Sequence, residues 1–386
     1  MGAIRKEIEE LELSGISKVA MGALGDPDVI PLWFGESDIV TPAFIRDAAK
    51  AALDEGQTFY SFSRGTPALR AGLKTYLDRL YGIDVHPDRI TVAGSTMLSV
   101  VVAAECLLDR DDEIILIGPY WPNIRIAARL MGARSVDVRL RMGARRWELD
   151  LEEVARSITA RTKAIYVNTP SNPTGWIMSG EEGQALLDLC RRHGLGLIAD
   201  EVYHRNVFRG RDPAPSFLEL AGPDEPVFVL NGFSKAWAMT GWRLGWMVTP
   251  RHLVEPMAVL AECNNTGATV FAQAGGLAAL EEGEDFISSF VERTRSNRDL
   301  VMELIGNHPK VVLPEPEGAF YAFPKIEGLT DSLAFARMAL ERCKVGIAAG
   351  YTFGAGNEGH VRLCFAIEGE RLGIALERLR GLLDEI

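Results

Sequence analysis

At 386 residues the chain is too long for one simple core, and two domains is the expectation. Hydrophobic residues make up 47% and charged residues 24%, the ordinary balance of a globular protein. The formal net charge of −12, with no long basic run, argues against nucleic acid and anionic membrane as main partners, because both need clustered lysine and arginine.

The five cysteines (Cys106, Cys190, Cys263, Cys343, Cys364) are scattered and form no CxxC pair, and no His/Cys cluster has zinc-ligand spacing. A reducing, cytoplasmic setting is expected. The amino-terminal MGAIRKEIEELELSG alternates charges with Ile and Leu, unlike a signal peptide, and Lys6 stands where a myristoylation signal needs Ser or Thr. No apolar run approaches the ~18 residues of a membrane span.

In chain order, residues 1–20 read as an amphipathic helix and 22–31 as a turn-rich connector. Thr41-Pro42 opens a helix over 43–54, and 68–81 returns to helical spacing. From residue 89 strand and helix alternate. Strands are expected at 89–93, 113–117, 135–139, 163–167, 195–199, 226–230 and 244–248. Helices are expected at 96–108, 123–131, 151–158 and 181–193, with 256–281 mostly helical. This rhythm predicts an α/β fold: a mainly parallel sheet with helices on both faces. A charged helical stretch at 285–308 leads into an α+β mixture. Its strands are expected at 311–313, 320–324, 345–348 and 360–365, and its helices at 332–343 and 371–383. The expected division is a large domain over 46–288 and a smaller α+β domain from 1–45 and 289–386.

The polar outliers fall just past the carboxyl ends of the expected strands, where ligands bind in open α/β sheets. Gly94-Ser95-Thr96 opens a helix and serves either as an anion site or as an ordinary N-cap. Trp121 follows the second strand and is either a stacking surface or a core tryptophan. Asn172 sits in PSNPTG, and Asp200 closes another strand with Tyr203 three residues on. Ser234 and Lys235 lie on the loop after 226–230, within NGFSKAWAMTGWRLGW, and Arg243 stands eight residues later. A serine, a lysine and an arginine on one connection suit a phosphate while leaving an amine for covalent work. A solvated loop is the plain alternative, but Trp237, Trp242 and Trp246 weigh against it. Arg362, in HVRLCF, lies on the strand face opposite Val361, Leu363 and Phe365. It is placed either to grip a carboxylate or on a solvated face.

Together PSNPTG (170–175), ADEVY (199–203), SKAWAMTGWRLG (234–245), GAFYAF (318–323) and HVRLCFA (360–366) resemble the class I/II aminotransferases of pyridoxal phosphate (PLP) fold type I, over nearly the whole chain. The resemblance implies that Lys235 carries the cofactor as a Schiff base and that Asp200 pairs with its pyridine nitrogen. Tyr203 and Asn172 contact the ring oxygen, and Trp121 stacks on the ring. Gly94, Ser95, Thr96, Ser234 and Arg243 hold the phosphate. Tyr60 reaches the phosphate of a partner subunit, which implies a homodimer with shared sites. Arg362 and Gly35, with Asn172, bind the substrate α-carboxylate. No metal is implied.

The resemblance further implies a ping-pong transfer of an amino group from an α-amino acid to a 2-oxo acid. The alternatives are a PLP-dependent β-lyase or decarboxylase and, from another class, a non-catalytic PLP-binding regulator. A nicotinamide dehydrogenase is disfavoured, because no GxGxxG follows a strand. The aspartate-specific bacterial branch carries a lysine where this chain has Thr96-Met97, and no second arginine claims a side-chain carboxylate. Neutral, aromatic or large apolar amino acids are therefore expected to react at least as well as aspartate, with Trp33, Phe34 and Tyr60 lining the side-chain pocket.

Overall fold

A computed structural model describes residues 4–210 and 212–385. Its centre is a seven-stranded sheet. In chain order the strands are β1 (Ile90–Ala93), β2 (Glu113–Gly118), β3 (Arg134–Arg139), β4 (Thr162–Asn168), β5 (Gly196–Asp200), β6 (Val227–Gly232) and β7 (Gly245–Val248). Their order across the sheet is β1-β7-β6-β5-β4-β2-β3, and β7 alone runs antiparallel to its neighbours.

The sheet is buried on both faces because the middles of its inner strands are apolar at successive rather than at alternate positions. In β2, Ile115 and Ile117 join the larger apolar cluster while Ile114 and Leu116 join the smaller one on the opposite face. Helix 96–107 packs on helix 123–131 on the smaller cluster's side. Helix Ala43–Asp54 packs on helix Val270–Glu282 on the other. Local chemistry sets several helix ends. Ser179 and Glu182 form a capping box at the start of Gly180–His193, and Gly194 ends that helix at φ +62°, a conformation glycine adopts without steric cost.

The expected strands and most helices lie within a residue or two of their places. Three expectations need correction. The stretch 1–20 is not one helix: Lys6–Glu9 and Gly15–Ala20 are separate, and the Ser14 hydroxyl caps the second by accepting from the Ser17 amide. Residues 1–3 of that expectation lie outside the described residues. The helical stretch 256–281 is two helices, Val254–Asn265 and Val270–Glu282, parted where Thr266 and Gly267 take positive φ. Short pairings that carry no periodic signal were missed. Among them, Ile30–Pro31 runs parallel to Val345–Gly346, tying the early chain to the carboxyl-terminal part.

Beyond the sheet, Val361–Cys364 is the middle strand of three, between Tyr321–Ala322 and Ala348–Ala349. Both of its faces are buried, so Arg362 is enclosed at 0% exposure rather than solvated. Of the tryptophans near Lys235, Trp237 and Trp246 pack with Phe233 and Tyr76, and the half-buried Trp242 donates its indole N–H to Thr41. These aromatic contacts fix the segment that carries Lys235, each buried ring contributing about 2–3 kcal/mol by area.

Candidate active site

A cavity of about 620 Å³ opens past the carboxyl ends of β4, β5 and β6. Asp200 is the last residue of β5, and Lys235 sits on the single turn Phe233–Ala236 that follows β6. The Lys235 amine donates to the Gly35 carbonyl at 2.6 Å and lies 5.8 Å from the centre of the Tyr203 ring. Burial pulls this amine down to about 8, so near neutral pH it loses its proton far more readily than an ordinary lysine. Gly35 must be glycine: a Cβ there would meet the Tyr321 hydroxyl at 2.0 Å.

The Asp200 carboxylate accepts from the Tyr166 hydroxyl at 2.9 Å and the Val202 amide at 3.3 Å. Burial raises its carboxyl to about 6, against those two hydrogen bonds. No cation is in salt-bridge contact with it among the described residues. Asn168 links this end of the cavity to the other. Its side-chain N–H donates to the Asp200 carbonyl at 2.8 Å, and its oxygen accepts from the Asn172 amide at 2.7 Å. The Asn172 side-chain oxygen then accepts from Arg362 at 3.1 Å.

Arg362 also donates to the Trp33 carbonyl. Its guanidinium carbon stands 4.6, 5.1 and 6.0 Å from the ring centres of Tyr321, Phe353 and Trp121. Its Nε has no partner, and no carboxylate is within salt-bridge reach among the described residues. A buried cation without a counter-charge is costly, and an incoming carboxylate removes that cost. The Tyr203 hydroxyl lies 2.7 Å from that of Tyr321, with the rings nearly perpendicular, and burial raises the phenol above its ordinary range.

The amino-terminal end of helix 96–107 meets the cavity at Thr96 and Met97. The Thr96 hydroxyl donates to the Asn231 carbonyl at 3.0 Å. Two glycines bring the helix this close to the sheet. A Cβ on Gly232 would meet the Thr96 hydroxyl at 2.2 Å, and one on Gly245 would meet the Thr96 amide at 2.6 Å. Gly94 and Ser95 stand behind Thr96 and do not line the cavity. Ser95 caps the helix by accepting from the Leu98 amide at 3.0 Å. Ser234 and Arg243 do line the cavity, as does Trp121. Arg243 takes φ +50° and donates to the Thr240 carbonyl at 2.7 Å, and it forms no ion pair among the described residues.

Two residues expected in the side-chain pocket do not line this cavity. Trp33 is 2% exposed and packs on Gly346, because its large ring fits the core beneath the strand rather than the cavity. Tyr60 is 91% exposed and lines no part of its own chain's cavity. Phe34 does line it. Arg243 and Arg362 are the arginines at the cavity. Arg64 is bonded to the Asp88 carbonyl, Arg125 to Asp137 and Arg141 to Asp150. The reading of the sequence missed Tyr166, Asn168 and Tyr321. A polar residue closing a buried strand, as in the Tyr-Val-Asn end of β4, was the available signal.

The fold is that of the aspartate aminotransferase-like α/β proteins, a mostly parallel sheet, with Lys235 at its carboxyl edge. The profile of the family described as aminotransferase class I and II matches residues 27–379, and the chain belongs to that family. It is 32% identical to a probable aspartate/prephenate aminotransferase of Aquifex aeolicus, over 99% of this chain and 95% of that protein. It is 34% identical to an arginine–pyruvate transaminase of Pseudomonas aeruginosa, over 91% and 89%. An alanine aminotransferase from Pyrococcus furiosus superposes with a TM-score of 0.92 at 29% identity, covering 99% of this chain and 100% of the other. The chain is an aminotransferase, and its family uses PLP.

Proposed function

We propose that this chain binds PLP in the cavity and moves the amino group of an α-amino acid to a 2-oxo acid by a ping-pong mechanism. The observation that carries the reading is the placing, on one cavity, of three buried ionisable groups with no salt-bridge partner among the described residues. These are the amine of Lys235, the Asp200 carboxylate without a cation, and the Arg362 guanidinium without an anion. Each is buried at a cost that a ligand would offset, and PLP with an amino acid supplies all three counterparts.

The residues present fit the cofactor. Asp200 would hold a proton on its ring nitrogen, Tyr203 and Asn172 would bind its ring oxygen, and Trp121 would flank the ring. Thr96, Ser234 and Arg243 would hold its phosphate, with Gly94 and Ser95 shaping the helix start behind Thr96. When bound, PLP supplies an electron sink for the charge left at the substrate's Cα. Arg362, assisted by Asn172 and the backbone at Gly35, fixes the α-carboxylate and so presents Cα to Lys235. The Lys235 amine, neutral in a large share of molecules near its lowered value of about 8, would carry the proton from Cα to the cofactor carbon bonded to the amino nitrogen, the shift that amino transfer requires. The rings of Tyr321, Phe353 and Trp121 keep water from Arg362.

The same reading divides the chain into a large domain of 46–288 and a small one of 1–45 and 289–386. The pairing of Ile30–Pro31 with Val345–Gly346 supports it. It makes the enzyme a cytoplasmic homodimer in which Tyr60 serves a partner's site. Support comes from the exposure of Phe59, Tyr60 and Phe62, at 82, 91 and 64%, on one stretch. No helix among the described residues is long and apolar enough to cross a membrane. Neither the lyase or decarboxylase alternative nor the non-catalytic regulator has an observation in its favour. The test is a spectral screen of the PLP-loaded protein against twenty amino acids, followed by 2-oxo acid turnover. Ping-pong kinetics with both substrates is the expected result, and release of ammonia or carbon dioxide in place of amino transfer would overturn it.

A further inference from the structure

A second cavity, of about 320 Å³, adjoins the first, and the two share Phe34 and Glu36 as lining residues. Its other walls include the apolar side chains of Leu24, Val29, Trp33 and Ile367. Its carboxylates are Asp26, Asp38 and Glu36, and no lysine or arginine among the described residues lines it. Asp26 is paired with Lys344 at 3.6 Å and Asp38 with Arg293 at 2.6 Å. Among the described residues the Glu36 carboxylate forms no ion pair, and it accepts from the Thr240 hydroxyl at 3.2 Å.

The backbone between the two cavities is also the backbone that Arg362 and Lys235 touch. Arg362 donates to the Trp33 carbonyl and Lys235 to the Gly35 carbonyl. An amino acid held by its carboxylate at Arg362, with its Cα at Lys235, therefore lies along residues 33–35, beside the Phe34 ring. We propose that this second cavity is the side-chain subsite of the enzyme, with Phe34 as the partition and Leu24 as the outer wall. Its substrates are amino acids whose side chains are long or aromatic and carry no negative charge. Apolar walls reward length, and an acidic side chain meets Glu36 with no cation to offset the repulsion. The proposal rests on the aminotransferase reading and adds the substrate class and the residues that set it.

The experiment compares kcat/KM for alanine, norleucine, 2-aminooctanoate, phenylalanine and aspartate in the PLP-loaded enzyme, with one 2-oxo acid as acceptor throughout. Wild type should favour norleucine and phenylalanine over both alanine and aspartate by about tenfold or more. Leu24 is 66% exposed, so Leu24→Trp narrows the cavity without disturbing the core. It should lower norleucine turnover about tenfold while alanine stays within about twofold. Phe34→Ala joins the two cavities and should raise 2-aminooctanoate relative to alanine. The proposal is overturned if both variants keep the long-to-short ratios of wild type within about twofold, or if wild type prefers alanine or aspartate. Wild type that transaminates no donor at all would instead overturn the assignment on which the proposal rests.

Discussion

Two buried arginines show how differently this chain treats the same charge. Arg205 is 5% exposed and fully engaged. It forks onto both Glu284 oxygens at 2.7 and 3.0 Å and reaches Asp212 at 3.3 Å and the Tyr76 hydroxyl at 3.5 Å. Its neighbour His204 shares the Tyr76 hydroxyl at 2.7 Å, and burial pushes that imidazole down to about 3, so it stays neutral. Arg362 is more deeply buried yet has two neutral acceptors, three aromatic neighbours and an idle Nε. The first arginine is satisfied within the fold and holds the Asp200–Tyr203 segment to helix Glu284–Val301. The second has no counter-charge among the described residues. Where a buried ion pair is complete, the charge is spent on structure. Where it is incomplete, the charge is left for a partner from outside the fold, which under the proposed function is the substrate.

The largest test removes the amine proposed to work beside Arg362. Lys235→Ala should lower kcat by about 10⁴-fold while the other contacts still retain PLP. Equilibrium dialysis and turnover on the same preparation check both halves, and repeated turnover by the variant would end the assignment.

Arg362→Met replaces the open charge with an apolar chain of similar length. It should cut kcat/KM about 10³-fold, near 4 kcal/mol of binding, yet leave Tm equal or higher, because it removes an uncompensated buried charge. A large fall in Tm would place Arg362 with Arg205 as a structural cation and break the contrast.

Asp200→Asn should slow proton removal at Cα about 10²-fold, since an amide cannot hold a ring-nitrogen proton as a carboxylate does. A variant within about threefold of wild type would show that Asp200 has another role.

The pH dependence of cofactor capture sharpens the role of the amine. Lys235 is lowered to about 8, so its nucleophilic neutral form dominates above that pH and declines below it. The rate at which apoenzyme captures PLP should fall about tenfold per pH unit below 8 and level off above it. A rate still climbing tenfold per unit at pH 10 would mean an unperturbed lysine.

The smallest effect is expected on the structural side. Glu284→Gln breaks the complete pair. Because Glu284 is partly exposed, the cost should be about 1–2 kcal/mol of stability, with kcat within about twofold of wild type. Urea unfolding and turnover separate the two quantities. A loss of kcat without a loss of stability would reverse the roles assigned to the two arginines.

How much of this was legible in the chain follows from the range of the forces involved. Periodicity and turn chemistry act over a few residues, so the seven strands, their order in the chain and the polar groups at their carboxyl ends could be read directly. Asp200 closing a strand and Lys235 following one were visible for that reason, and the motifs around them named the family. The short pairing of Ile30–Pro31 with Val345–Gly346 was not legible, since two residues show no period and their partners lie over three hundred positions away. Trp33 and Phe34 look equivalent in LWFGESD, and only packing sends the first beneath Gly346 and leaves the second at the cavity. Arg362 was ambiguous for the same cause. Alternation told which face of its strand it shared, and the neighbouring chain segments decided that this face is closed, without a counter-charge, and turned toward Lys235. Local sequence thus determined the elements and the chemical inventory, whereas burial and pairing, which depend on residues distant in the chain, decided which charges are spent on structure and which are left without a partner in the fold.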